Sequence, residues 1–305
     1  MPSLQPYLVF KSEITRLNRL YWTSKYSYTK LAALLEVIAA TGIHAKDPRV
    51  DHIWGSCDTG EASTLTVSLS EFLDTLASNA EALRTTSILQ MCSAFENALC
   101  GYFYLCCLYQ PLKEDSTYTG DAVPQLLKNA AAFEARKAAL KLRCNAALHG
   151  KYSKRVGVLV STWSLPALPR SVLTKLNAYY SKRHLIAHDQ SIDSADDPDS
   201  SAIEIIGRRL AIDEATWKSM IADFDSVLST IDIHVQKLVV VDRGVHLAVH
   251  KIVDRDGPQT DSELKGKIQN EWRTGSLKSA IVLSAARAIG MNTRQLANQT
   301  LQIYR

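Results

Sequence analysis

Arg183-His184-Leu185-Ile186-Ala187-His188 is a hexapeptide that opens on an arginine, places histidines at its second and last positions, and is apolar between them. It follows a run in which Val172, Leu173, Leu176, Tyr179 and Tyr180 recur three to four apart, the spacing of a helix that packs one side inward. One helix over about 170–190 is therefore expected. Successive helical residues are turned by about 100°, so His184 and His188 stack at i and i+4. Arg183 lies one step round, with a side chain long enough to reach the same group. An imidazole near neutral pH can take the proton of a 2′-hydroxyl or protonate a leaving oxygen. A guanidinium can grip a phosphate and the charge that builds on it. The hexapeptide thus carries the parts of metal-free RNA cleavage, with Arg183, His184 and His188 as candidate catalytic residues.

Helical periodicity also dominates outside the hexapeptide, and the predicted fold class is mostly α. A first helical segment is expected from roughly Lys11 to Ala40, with Ile14, Leu17 and Tyr21 followed by Leu31, Leu34 and Leu35 at helix spacing. The stretch Thr41 to Thr66, with Gly42, Pro48, Gly55 and Gly60, reads as a loop-rich connection. Ser68 and Glu71 form a capping-box signature ahead of a long helical region that stops before Pro111. An alanine-rich helical stretch over 124–148 opens with Pro124 in its first turn and stops at Gly150. A shorter helix around 153–164 is closed by Pro166 and Pro169. Past the hexapeptide, Asp193, Asp196, Asp197 and Asp199 mark a solvated acidic loop, and Ile203 to Ile206 a short strand. Asp213 then caps a helix from about Glu214 to Leu238.

The chain has 305 residues, 46% of them hydrophobic, enough for a sizeable core in one large or two modest domains. The longest apolar run, Leu99 to Tyr109, is too short to span a bilayer, and a cytoplasmic protein without membrane contact is expected. Cys57, Cys92, Cys100, Cys106, Cys107 and Cys144 lie mostly in apolar helical segments with no C-x-x-C spacing, and read as buried and reduced. No cofactor or metal is called for. A net charge of +4 says little by itself, but the stretch from Asp261 to Arg305 holds seven basic residues against three acidic ones.

Several motifs compete with the hexapeptide. Arg143 and His149 also pair an arginine with a histidine, five residues apart in between, but His149 abuts the helix stop at Gly150. His246 and His250 stand at the i, i+4 spacing that can chelate zinc, yet no third ligand is near, and Val239 to Gly244 can instead make a β-hairpin. Residues 279–304 read as two helices, with a stop at Gly290 and Asn292 or Thr293 capping the second. That outline suits a DNA-reading helix-turn-helix or any packed helix pair.

At the hexapeptide the chain resembles the HEPN superfamily, whose ribonucleases carry an Arg, a polar residue, three further residues and a His. The segment from Arg84 through Leu99 resembles the long helix that precedes the motif helix in that family, including its inward-facing glutamate, here Glu96. The resemblance covers about 68–240. It implies a HEPN-like helical core over 68–240, flanked by an N-terminal helical extension (1–67) and a small basic C-terminal helical module (241–305). It further implies a homodimer whose paired motif helices build a composite endoribonuclease site. There Arg183 binds phosphate and the two copies of His188 serve as base and acid. His184 stands where the family commonly has Asn or Asp, and orients His188 or the phosphate. Glu96 either orients Arg183 or a histidine, or is a half-exposed helical glutamate. The implied partners are RNA, as tRNA or mRNA, and an antitoxin or defence-operon protein, in the manner of toxins and antiviral effectors. The alternatives are a catalytically silent scaffold of the same type that binds a protein or nucleotide, and a DNA-binding regulator acting through the C-terminal helices.

Overall fold

The computed structural model describes residues 4–41, 49–50, 67–109, 123–188 and 212–238, together with parts of 249–302. Its elements are α1 (Gln5–Ala40), α2 (Leu69–Tyr109), α3 (Val123–Lys128), α4 (Ala130–Ala147), α5 (Tyr152–Trp163), α6 (Arg170–His188), α7 (Glu214–Leu238) and α8 (Asp261–Glu271). Two-residue strands follow, β1 (Asn292–Thr293) and β2 (Leu301–Gln302). The chain is mostly helical, as its periodicity requires.

Local signals account for the helix starts. Ser68 and Glu71 form the expected capping box: the Glu71 amide donates to Ser68 Oγ and the Ser68 amide to Glu71 Oε2, both at 3.3 Å. Asp213 Oδ1 accepts the Thr216 amide at 2.6 Å and caps α7. Thr260 and Glu263 make a second capping box at α8. At the far end of α5, Ser164 adopts the left-handed conformation, with φ 52°, and Leu165 donates back to Val160.

Three expectations are corrected and one open alternative is decided. The first helix begins at Gln5, six residues before Lys11, and Leu34 is 55% exposed although Leu31 and Leu35 pack inward. The alanine-rich stretch is broken at Asn129, whose side chain accepts the Ala132 amide at 3.1 Å and starts a new helix. His250 is helical, with its ring 5.4 Å from that of Phe133, rather than on a hairpin strand. Asn292 and Thr293 do not cap a helix but pair antiparallel with Gln302 and Leu301, so the second helix of a helix-turn-helix is not formed at those positions. The acidic loop, Ile203 to Ile206, Val239 to Gly244 and His246 lie outside the described residues.

The chain divides into two compact units. Unit 1 comprises Met1–Ser12, Ser93–Tyr180 and Ala222–Arg305, and unit 2 comprises Glu13–Cys92 and Ser181–Ile221. In unit 1, Phe95 stacks on Phe224 with centroids 4.3 Å apart, and Tyr152 and Tyr179 pack edge-on against this pair. Asp232, 2% exposed, is satisfied by the Leu4 amide, the Tyr102 hydroxyl and Gln236 Nε2. Gly101 lets the chain start pass close by, since a Cβ there would stand 2.8 Å from the Pro6 ring. In unit 2, Leu35, Leu69 and Leu76 are buried with Leu31 and Phe72 around them, and Trp217 donates to Ser87 Oγ at 2.7 Å. By length and composition α2 is apolar enough to cross a membrane, but 61% of its most apolar stretch is buried inside the protein, the condition of a core helix.

Candidate functional site

The motif helix forms where the sequence places it. Leu176 and Tyr179 are buried on α6, and Arg183 follows Tyr179 by four residues, so it prolongs the inward line and is half-buried. His184 is exposed and His188 is the last residue of the helix, five positions beyond Arg183, or about 7.5 Å of rise. The His188 side chain lies outside the described residues. Within unit 2, the positive charge of Lys182 reaches Asp213 at the start of α7. The Asp213 carboxyl is held below the usual carboxylate range first by the Thr216 amide, with Arg84 and Lys182 adding to it.

Glu96 belongs to unit 1, where it anchors a dense polar node. Its Oε1 accepts the Tyr152 hydroxyl at 2.9 Å and its Oε2 lies 3.3 Å from Arg155 Nη1. The two side chains are 18% and 14% exposed, so this ion pair is drier than a surface bridge. Arg155 also donates to the Gly150 carbonyl at 2.8 Å, and its guanidinium lies over the rings of Tyr152 and Tyr180 at 5.5 and 5.8 Å. Asn177 of α6 accepts the Ser153 amide and so caps α5 from another helix. A planar cation held between two aromatic faces and a carboxylate has one fixed orientation.

Next to the node, in the turn after α4, stands the competing histidine. His149 Nε2 is 2.8 Å from Lys154 Nζ. An ammonium can only donate, so Nε2 accepts, and Nδ1 carries the proton that it donates to the Ala146 carbonyl at 2.5 Å. His149 is exposed and Arg143 half-buried.

On the same face of α2, four residues after Glu96, Cys100 faces Cys144 of α4. Both cysteines line a cavity of about 510 Å³, whose wall also includes Asn97, Asn145, Lys141 and His250. A hydrogen bond from Cys144 holds the Cys100 thiol down to about 7, aided by the charge of Arg155 and opposed by burial and by Glu96. The same bond, with burial, pushes the Cys144 thiol up. Among the described residues, no group of three or more His, Cys, Asp or Glu side chains is arranged to hold a metal ion.

Sequence reasoning singled out Glu96, for a role beside Arg183 or a histidine, and did not single out Arg155, Tyr152, Asn177 or the thiol pair. Two local signals were available. Tyr152 and Arg155 are i, i+3 on one helix face, and Glu96 and Cys100 are i, i+4 on another. That these two faces belong to one cluster is a tertiary fact. Compared with protein-family models, with curated proteins and with solved structures, the chain matches none of them.

Proposed function

We propose that this chain is a metal-independent endoribonuclease of HEPN type, with a HEPN-like helical core over 68–240 between an N-terminal extension and a C-terminal module. It acts in the cytoplasm as a toxin or antiviral effector on tRNA or mRNA. The observation that supports this reading best is Arg183 on the inward line of a 19-residue helix, half-buried at its edge, with the exposed His184 beside it. An arginine that replaces a leucine on such a line is held close to one orientation, as a phosphate clamp must be. In the proposed reaction the guanidinium of Arg183 binds the scissile phosphate. One His188 removes the proton of the 2′-hydroxyl, which attacks phosphorus, and the His188 of a second copy protonates the departing 5′-oxygen. The products are a 2′,3′-cyclic phosphate and a 5′-hydroxyl. His184 orients His188 or the phosphate, and Glu96 acts through positioning.

The test is incubation of the purified chain with total RNA in the presence of EDTA. Cleavage is expected to continue, and Arg183→Ala and His188→Ala are each expected to lower its rate by about 10²–10⁴-fold with the helical content unchanged. His149→Ala is expected to change it little. Wild-type cleavage by His188→Ala, or a requirement for Mg²⁺, would replace the nuclease reading with that of a silent scaffold. A strict monomer in sedimentation that keeps full activity would reject the composite site.

A further inference from the structure

Cys100 and Cys144 come from different helices and meet in the wall of the cavity, where the Cys144 thiol donates to the Cys100 carbonyl with its sulfur 4.0 Å from that oxygen. Cys100 is half-exposed and Cys144 is buried, so of the two residues lining the cavity Cys100 is the more open to a small solute. Three other cysteines make the contrast. Cys92, Cys106 and Cys107 are buried and line no part of this cavity, and burial pushes the Cys106 thiol up. The charged groups around Cys100 are Arg155 from α5 and Glu96 from its own helix. Across the cavity are Lys141, His250 and the ion-paired Glu134 and Lys137.

We propose that Cys100 and Cys144 are a modification site for hydroperoxides: a dithiol that closes to a disulfide between α2 and α4. The Cys100 thiolate attacks one peroxide oxygen, the O–O bond breaks, and the departing oxygen takes a proton to leave as water or an alcohol. Cys100 becomes a sulfenic acid. The Cys144 sulfur then attacks the Cys100 sulfur, the S–S bond forms as the S–O bond breaks, and hydroxide leaves with the Cys144 proton as water. The thiol pair loses two electrons and the peroxide gains them. Arg155 favours the first step by stabilising the thiolate, and the short reach to Cys144 favours the second over further oxidation. The disulfide would link positions 44 residues apart and remove the thiolate beside the Arg155–Glu96 pair.

The experiment exposes the full chain, reduced and freed of reductant, to graded hydrogen peroxide. Remaining thiols are then blocked with iodoacetamide in denaturant and the peptides mapped by mass. A Cys100–Cys144 linked pair, two hydrogens lighter than its reduced parts, is expected before any change at Cys92, Cys106 or Cys107. In Cys144→Ser, Cys100 is expected to stop at the sulfenic acid and to be captured by dimedone. In Cys100→Ser, Cys144 is expected to stay alkylatable at doses that close the wild type. A measurement that needs no variant is iodoacetamide labelling of the native wild type at pH 7, where Cys100 is expected to react at least about tenfold faster than the three buried thiols. Persistence of both thiols through peroxide treatment overturns the proposal. So does a Cys107–Cys144 link in place of the expected one, or equal labelling of Cys100 and the buried thiols.

Discussion

Each unit holds a node of the same three residue types, a glutamate that accepts from a tyrosine hydroxyl beside an arginine, and the two are built differently. In unit 2, Glu214 accepts from Tyr21 at 3.1 Å and from Lys25 and Lys218 at 2.6 Å each, while Arg84 donates to the Tyr21 hydroxyl and to the Ile212 carbonyl. The lysines are 39% and 55% exposed, so water shares the work of solvating the carboxylate. In unit 1, Glu96 pairs with Arg155 at low exposure, and a thiol pair and a cavity stand next to them. The carboxylate of the wet node tolerates change because solvent can replace a lost lysine. The dry one cannot, and low dielectric beside a nucleophile is the setting in which a fixed charge alters reactivity.

The largest expected effect is therefore at the dry node. Glu96→Gln removes the counter-charge of a mostly buried guanidinium and is expected to cost about 3 kcal/mol in urea unfolding. The matching Glu214→Gln is expected to cost about 1 kcal/mol or less, with a dependence on salt that the first lacks. Equal costs would erase the distinction between the nodes.

The tyrosines invert the order and sharpen the comparison. Tyr21 both donates to Glu214 and accepts from Arg84, so Tyr21→Phe strands two groups and is expected to cost about 2 kcal/mol. Tyr152→Phe removes the bond to Glu96, and about 1 kcal/mol is expected. Thermal or urea unfolding of the two variants side by side reads the difference.

The smallest effect is a pH dependence at the wet node. Hydrogen bonds from Lys218, then Lys25 and Tyr21, hold the Glu214 carboxyl down to about 2, below its ordinary value near 4.5. A depressed carboxyl contributes its full share of stability above the unfolded value, and loses it as pH falls from about 4.5 through about 2. Acid titration of unfolding is expected to show a shallower decline in Glu214→Gln than in the wild type over that window. An unchanged slope would mean that the lysines do not stabilise the folded carboxylate.

The helical class, the Ser68 and Asp213 caps and the extent of α6 were legible in the sequence because each depends on residues within a turn or two of one another. Ser68 and Glu71 need only be three apart to bond reciprocally, and Leu176, Tyr179 and Arg183 share a face by helix geometry alone. The break at Asn129 was harder to read, since alanine on both sides favours helix and only the side-chain bond to Ala132 ends one helix and starts the next. Leu34 shows the limit of periodicity, as Leu31, Leu34 and Leu35 all fit helix spacing but only two of them find a packing partner.

By itself the sequence determined where helices start, which stripes can pack, and that an arginine and a histidine sit beside each other on α6. Those properties follow from local sterics and a repeat of 3.6 residues. Only the tertiary structure decided that Glu96 pairs with Arg155, 59 positions along the chain, that Asn177 caps a helix begun 25 residues earlier, and that Cys100 meets Cys144 beside a cavity. Such contacts form when distant helices bury their apolar faces against one another, and the polar groups carried inward must then find partners among whatever side chains arrive with them.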